Sequence, residues 1–389
     1  MQQQQPESIT GEDTIRMTCQ YYDVIILGGG CSGLAIGYYY SLLKSNQRIA
    51  ILEMREQYHD DRSWCFWLTE RDFVHQDIIC KRWSKWLFSH NCQTVSHEAD
   101  TCPYGLIKSI DYYQKTTHAI LNDHRQELHP GIDVKAIEHK RGYYEITTSS
   151  GLYRASSLID TRPDKLEVIK KARLYQIFYG LEIKTNVPVF DTGSVMLMSN
   201  LSANEEFCQF DYMLPIAENH ALLEVTRFSK TLHSPHLLKA ACETLLERWT
   251  QDYEICREEA AVLPMGIPLQ KQPPSTCFNL SQHYGSLRAS SGYGFLRLQA
   301  QAQTMAHHIA NQTLLRGANV DNALDRWMDA CFCRVLSRQM THAPDVFMQM
   351  AKTLSAENFA RFMNGAINWS LRWQVVKAMP TGLFVRALL

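Results

Sequence analysis

The sequence predicts an α/β (α+β) chain in three parts, and three observations predict it. An apolar run at 24–27 breaks into Gly28, Gly30 and Gly33 and continues at helix spacing, as a parallel βαβ unit does. Between about 170 and 270 the apolar residues recur with period two, the mark of strands. From 321 to 389 the spacing is helical throughout. The expected division is a polar tail at 1–20, a discontinuous α/β unit from 21–165 and 275–320, a β-rich insert at 166–274, and a helical C-terminal region at 321–389. A chain of 389 residues is long enough for more than one packed unit.

The first unit is organised around YDVIILGGGCSGLAIGYYYSLLKSNQRIAILE, residues 22–53. Gly28 permits the tight turn after the first strand, Gly30 lets a pyrophosphate approach the backbone, and Gly33 allows close packing of helix on strand. The positive end of that helix then faces the phosphates. Glu53 ends the second strand 20 residues past Gly33, where a carboxylate accepts hydrogen bonds from a ribose. Strand, turn, helix, strand and terminal acid in register predict a Rossmann-type dinucleotide site.

Bulk composition narrows the partners. Lys plus Arg total 39 against 40 Asp plus Glu, a net charge of −1, so no global field draws the chain to nucleic acid or anionic lipid. Twelve cysteines include no CxxC pair, and they read as reduced, mostly buried thiols in a cytoplasmic setting, with no metal site. The first twenty residues lack an apolar signal core. Positions 24–43 run without a charge and formally match a membrane span, but the glycine turn divides them into strand and helix.

After Glu53 comes REQYHDDRSWCFW. Its aromatics read either as a strand docked on the core or, for Trp64 and Trp67, as walls of a cavity; Arg62 reads as a cofactor contact near the ribose or as a loop-ordering residue. Residues 69–130 are mixed and unperiodic apart from a helix near 110–123. A hairpin over 143–163 ends in a buried strand at 155–159 that returns to the nucleotide unit and stops at Asp160, which is counted with the cofactor-binding residues. In the insert, runs at 195–198, 207–214 and 221–228 are strands. On the last, Leu222, Glu224, Thr226 and Phe228 share one face. A carboxylate amid apolar neighbours is either buried for chemistry or turned to water at a sheet edge. The turn Gly292-Tyr293-Gly294 precedes an Ala/Gln-rich helix and offers backbone N–H groups to a phosphate or a flavin ring. The C-terminal helices read as packing helices, the last also as a surface for a bilayer.

These pieces resemble the flavin-dependent lycopene cyclases of the bacterial β-cyclase type. The resemblance rests on GGGCSG, DRSWCFW, LYQIFYGLEI, FCQFDYMLPIAENHALLEVTRF, REEAAVLPMGIPL, SSGYGF, RVLSRQMTHAPDVFMQM and FARFMNG, and runs from about residue 22 to the C-terminus. It implies an isomerase of the intramolecular-lyase type, without net redox change. An acid protonates the acyclic ψ end of lycopene or a related polyene, the neighbouring double bond closes on the cation, and a proton leaves the ring. Glu224 stands at the position of the family's catalytic glutamate. The resemblance further implies FAD in its reduced form, its anionic ring stabilising the cation, with NADPH as reductant. Trp64, Trp67 and Tyr293 would add cation–π stabilisation of about 1 kcal/mol each, beside Thr226 in the pocket. The polyene substrate implies peripheral contact with the inner face of the membrane, and neither nucleic acid nor a protein partner.

Three positions depart from the family. Val225 replaces the second of two adjacent acids, Ser199 stands where an acid often follows the VMLM-like strand, and LRLQAQAQ places Arg297 near the presumed ring. All three are expected on the substrate side. Two other readings accompany the cyclase: an FAD-dependent monooxygenase or other oxidoreductase on a lipophilic molecule, and a non-catalytic lipid carrier of the same fold.

Overall fold

The computed structural model describes residues 19–70, 73–273, 275–318, 321–365 and 368–388, so the expected tail at 1–20 lies outside the described residues as far as position 18. The chain opens with β1 (Cys19–Leu27), α1 (Cys31–Ser41), β2 (Ile49–Leu52), β3 (Ser63–Trp67) and β4 (Lys81–Trp83). It continues through β5 (Lys85–His90), β6 (Gln93–Glu98), β7 (Tyr104–Lys108), α2 (Ser109–Leu121), β8 (Gln126–His129), β9 (Val134–His139), β10 (Tyr144–Thr148), β11 (Leu152–Asp160) and the short α3 (Leu166–Ile169). Five long elements follow: β12 (Leu174–Lys184), β13 (Val195–Ala203), β14 (Phe207–Ala217), β15 (His220–Ser229) and, after α4 (Lys239–Glu247), β16 (Glu254–Met265). The short β17 (Cys277–Asn279) leads into α5 (Phe295–Ala310), α6 (Ala323–Arg338), α7 (Ala343–Thr353), α8 (Ala356–Asn364), α9 (Trp369–Ala378) and α10 (Thr381–Leu388).

The first sheet has the order β8-β2-β1-β11-β10-β9, with β17 beside the C-terminal half of β11. Its central strands β8, β2, β1 and β11 run parallel. They are covered on both faces, which is why 24–27 reads as an unbroken apolar run rather than an alternation. Val24 and Ile26 join the core under α1, α2 and α5, while Ile25 and Leu27 join the core of the opposite face.

The second sheet, β16-β12-β15-β14-β13-β5-β6, is antiparallel except where β5 meets β13. One face packs on α4 and the other on the C-terminal helices. Two of its strands, β5 and β6, come from a stretch that shows little periodicity and was expected in the Rossmann-type unit. Only Trp86 and Phe88 alternate in β5, and the edge strand β6 is largely exposed, so little apolar pattern is written there. A small sheet, β3-β7-β4, completes the sheets.

The C-terminal helices are joined by ion pairs. Asp321, two residues before α6, and Asp325 and Asp329 within it recur every fourth residue, and each holds an arginine from elsewhere. These are Arg297 on α5, Arg372 on α9 and Arg288 before the Gly292 turn. Side-chain caps at Asn322, Ser355 and Asn368 start α6, α8 and α9. Among the described residues no helix is long and apolar enough to cross a membrane.

Candidate active site

The crevice expected to take a nucleotide lies where the parallel strands end. Leu27 of β1 is in register with Leu52 of β2 and with Asp160 of β11, the place where such sheets bind ligands. The chain leaves β1 through Gly28 at φ +93°. A Cβ on Gly33 would stand 1.9 Å from the Gly28 carbonyl oxygen, so the third glycine is demanded by packing of helix on turn. A Cβ on Gly30 would meet nothing nearer than Arg55 Nη2 at 3.9 Å, so the side facing an incoming pyrophosphate is open. Gly30 is also the N-cap of α1 and has no side chain with which to cap it.

Glu53 is buried at the end of β2. Its Oε2 accepts the Gly29 N–H at 2.5 Å, and its Oε1 accepts from the Arg55 backbone at 2.8 Å and Nε at 2.9 Å. Burial works against the charge, but the hydrogen bonds from Arg55 hold the carboxyl below its ordinary range. Arg55, passed over in the sequence, therefore stands where Arg62 was expected. Arg62 is exposed and donates to the carbonyl of neighbouring Asp61, while its backbone N–H binds Ser109 Oγ at 3.0 Å. Its backbone orders the loop, and its guanidinium turns to solvent. Asp160 is held by Arg162 through Nε at 2.9 Å and Nη2 at 2.7 Å.

A cavity of about 480 Å³ lies between the second sheet, β3, the turn before α5 and the C-terminal helices. Its wall is largely apolar, with nine phenylalanines and five methionines, and one end is polar. There four strands present an in-register row. Tyr212 of β14 pairs with Glu224 of β15, Glu224 with Gly180 of β12, and Gly180 with Glu259 of β16. Glycine in the middle of the row leaves the two glutamates without a side chain between them, so their carboxyl groups act on each other. Burial pushes the Glu224 carboxyl well above the usual carboxylate range; the charge of Glu259 raises it further, and Arg257 pulls back. Glu259 accepts from Ser63 Oγ at 2.9 Å and pairs with Arg257. The phenols of Tyr104, Tyr212 and Tyr293 meet at 3.1–3.2 Å beside the acid, with Cys65 among them.

Glu259 escaped the sequence reading, although period two on REE sends Arg257 and Glu259 to the cavity face and Glu258 to the other. There Glu258 accepts from Tyr179 and pairs with Lys239. Ser63 explains part of the DRSWCFW block, since it is what ties β3 to Glu259.

The remaining expected residues divide. Trp64, Thr226 and Tyr293 line the cavity with Glu224. Trp67 does not; it shares the face of Ser63 and Cys65 on β3 but is fully buried behind Tyr104, Tyr293 and Phe359, which stand between it and the cavity. Gly292, at φ +69°, faces the cavity, but its N–H is spent on the Arg288 carbonyl at 2.9 Å. Gly294 caps α5 with Leu287 so close that a Cβ would stand 2.2 Å away. Both glycines also line the cavity. The three departures also lie elsewhere than expected. Val225 joins the core beneath α4, on the face opposite Glu224, and Ser199 pairs across the strands with Asp211, behind the cavity wall. Arg297 is neutralised by Asp321 and is absent from the lining.

The fold is shared with flavoproteins. A geranylgeranyl bacteriochlorophyll reductase-like protein from Thermoplasma acidophilum superposes with a TM-score of 0.61 at 10% identity, over 95% of this chain and 99% of that one. The halogenase PltM in complex with phloroglucinol and FAD superposes with a TM-score of 0.53 at 13% identity, over 94% and 85%. In sequence, a lycopene β-cyclase from Pantoea ananas is 20% identical over 377 residues, 92% of this chain and 95% of the relative. The family model for lycopene cyclase protein matches residues 23–388. With nearly every described residue inside that match, the chain belongs to the lycopene cyclase protein family.

Proposed function

We propose that the protein is a carotenoid end-group cyclase that isomerises the acyclic ψ end of lycopene or a related polyene into a ring. One observation carries the reading: a buried glutamic acid, Glu224, raised well above the ordinary carboxylate range at the polar end of a long apolar cavity. An uncharged alkene is a weak base, so protonating it requires an acid kept in its neutral form out of water, and burial supplies that condition. The phenylalanine walls tolerate positive charge without offering a nucleophile. Trp64 and Tyr293 are placed to add cation–π attraction, whereas Trp67 lies behind them.

The open approach at Gly30, the uncapped start of α1 and the acid at Glu53 suit FAD. When bound in reduced form, FAD supplies an electron-rich ring that stabilises the cation electrostatically, with NADPH as its reductant. The substrate is insoluble in water, and the far end of the cavity supports uptake from a bilayer. There Trp327 of α6 and Val376 of α9 line the cavity and are also exposed, and α9 turns Trp369 and Trp373 to solvent at 76% and 61%. Such a patch of tryptophans suits peripheral seating on a lipid surface, the cytoplasmic membrane face.

Expression in cells that accumulate lycopene, followed by pigment analysis, tests the reading. Monocyclic or bicyclic carotenoids are the expected result. Unchanged lycopene with flavin-bearing protein would overturn it. NAD(P)H oxidation stoichiometric with an oxygenated product would instead favour an oxidising flavoenzyme.

A further inference from the structure

We infer that Glu259 is the second carboxylate of the reaction, sharing one proton with Glu224 across Gly180 and accepting the proton that leaves the ring. The inference rests on the cyclase reading and adds the residue that closes the proton cycle. Its basis is geometric. Both side chains line the same polar end of the cavity, on strands that flank a glycine in one in-register row, with no side chain between them. Two buried carboxyl groups so placed cannot both be ionised without strong repulsion, so one holds the proton.

The surroundings decide which. Glu259 receives the hydrogen bond of Ser63 and the ion pair of Arg257, both of which favour its anion. Arg257 is itself divided, reaching Glu182 at 2.8 Å and Asp60 at 3.6 Å, so Glu259 does not hold its charge alone. Glu182 is also bonded by Lys108 at 2.5 Å and His220 at 2.7 Å. The groups facing Glu224 are Cys65 of β3, Tyr212 of β14, Tyr293 of the turn and Arg257 of β16, while Cys242 of α4 lies across the sheet from it. Burial raises these thiols and phenols, leaving them neutral. The acid form therefore sits on Glu224, while Glu259 is the carboxyl held by Ser63 and Arg257.

The cycle balances without solvent. The Glu224 proton goes to the terminal alkene, whose π electrons form the new C–H bond. The neighbouring alkene forms the C–C bond of the ring. A C–H bond beside the resulting cationic carbon breaks to give the ring double bond, and its proton passes to the Glu259 carboxylate. A C–H next to a tertiary cation is a very strong acid, so a base weakened by Arg257 suffices. The proton then crosses back to Glu224.

The test compares Glu259→Gln, Glu224→Gln and wild type in the flavin-loaded protein. Infrared spectroscopy of the protein, with isotope-labelled glutamate, reads the protonated carboxyl independently of turnover. The expected result is a protonated-carboxyl band at neutral pH in wild type that is lost in Glu224→Gln. In Glu259→Gln it should titrate away at lower pH, since the neighbouring charge is gone. Turnover of Glu259→Gln should fall at least tenfold, with ring products displaced towards other double-bond positions, while flavin binding is retained. A wild-type titration of the band, or a wild-type rate and product in Glu259→Gln, would overturn the pairing. Absence of ring formation by wild type, with the band behaving as expected, would overturn the cyclase reading while leaving the shared proton in place.

Discussion

A Cβ built on Gly180 stands 2.7 Å from the Cγ of Glu224, so the glycine and the acid are a matched pair across β12 and β15. Gly180→Ala should displace the carboxyl from Glu259. Overpacking of this kind costs about 1–3 kcal/mol. The expected outcome is a folded, flavin-binding protein with cyclisation reduced by at least tenfold, measured by pigment yield against soluble protein. Unchanged yield would mean the contact is not needed.

Restoring the family's second acid should fail. Val225 is 1% exposed in the core beneath α4, so Val225→Glu would bury an unpaired carboxyl there. The penalty is several kcal/mol, and thermal unfolding should show a lowered Tm with no gain in ring formation.

The glycines of the turn should separate folding from cofactor affinity. Gly33→Ala forces a Cβ onto the Gly28 carbonyl and should lower stability together with flavin content. Gly30→Ala has room in the chain itself, so it should unfold near the wild-type temperature yet purify with less flavin, as read by absorbance.

Glu224 gives the stability a defined pH dependence. Its folded pKa is raised above the unfolded glutamate value of about 4.3, so its contribution is full below that value and is lost as pH rises through the folded pKa. Glu224→Gln carries no such loss. Relative to wild type it should gain stability steadily from acid to alkaline pH in urea titrations. Parallel pH curves would contradict the raised pKa.

The exposed tryptophans predict lipid binding. Trp369→Ser with Trp373→Ser should reduce co-sedimentation with liposomes severalfold while Tm stays within a few degrees, since both side chains are mostly in solvent.

Much of this was legible in the sequence, for identifiable reasons. Gly28, Gly33 and Glu53 declare the nucleotide turn because sterics leave so few residues able to occupy it. Glu224 stood out because period two placed an acid among apolar neighbours. Glu259 was hidden: its partnership with Glu224 depends on β12 lying between β15 and β16, a strand order that no local pattern encodes. Val225 was misplaced for a simpler reason: it lies one residue from Glu224 and so faces the other way. Trp67 keeps the face of Ser63 and Cys65, and only the tertiary packing of Tyr104, Tyr293 and Phe359 shuts it out of the cavity. Arg62 was preferred to Arg55 because the pairing with Glu53 depends on how the loop folds back.

The aspartates spaced along α6 reach beyond stability. Stripping the partner from one buried ion pair costs about 3–5 kcal/mol; Arg288 and Arg372 fasten two segments to α6, and Arg297 fastens α5 to the residue that leads into it. The roof over the chamber is thus riveted along α6 and α9. α10, which lends Thr381 and Phe384 to the lining, has none of those three rivets.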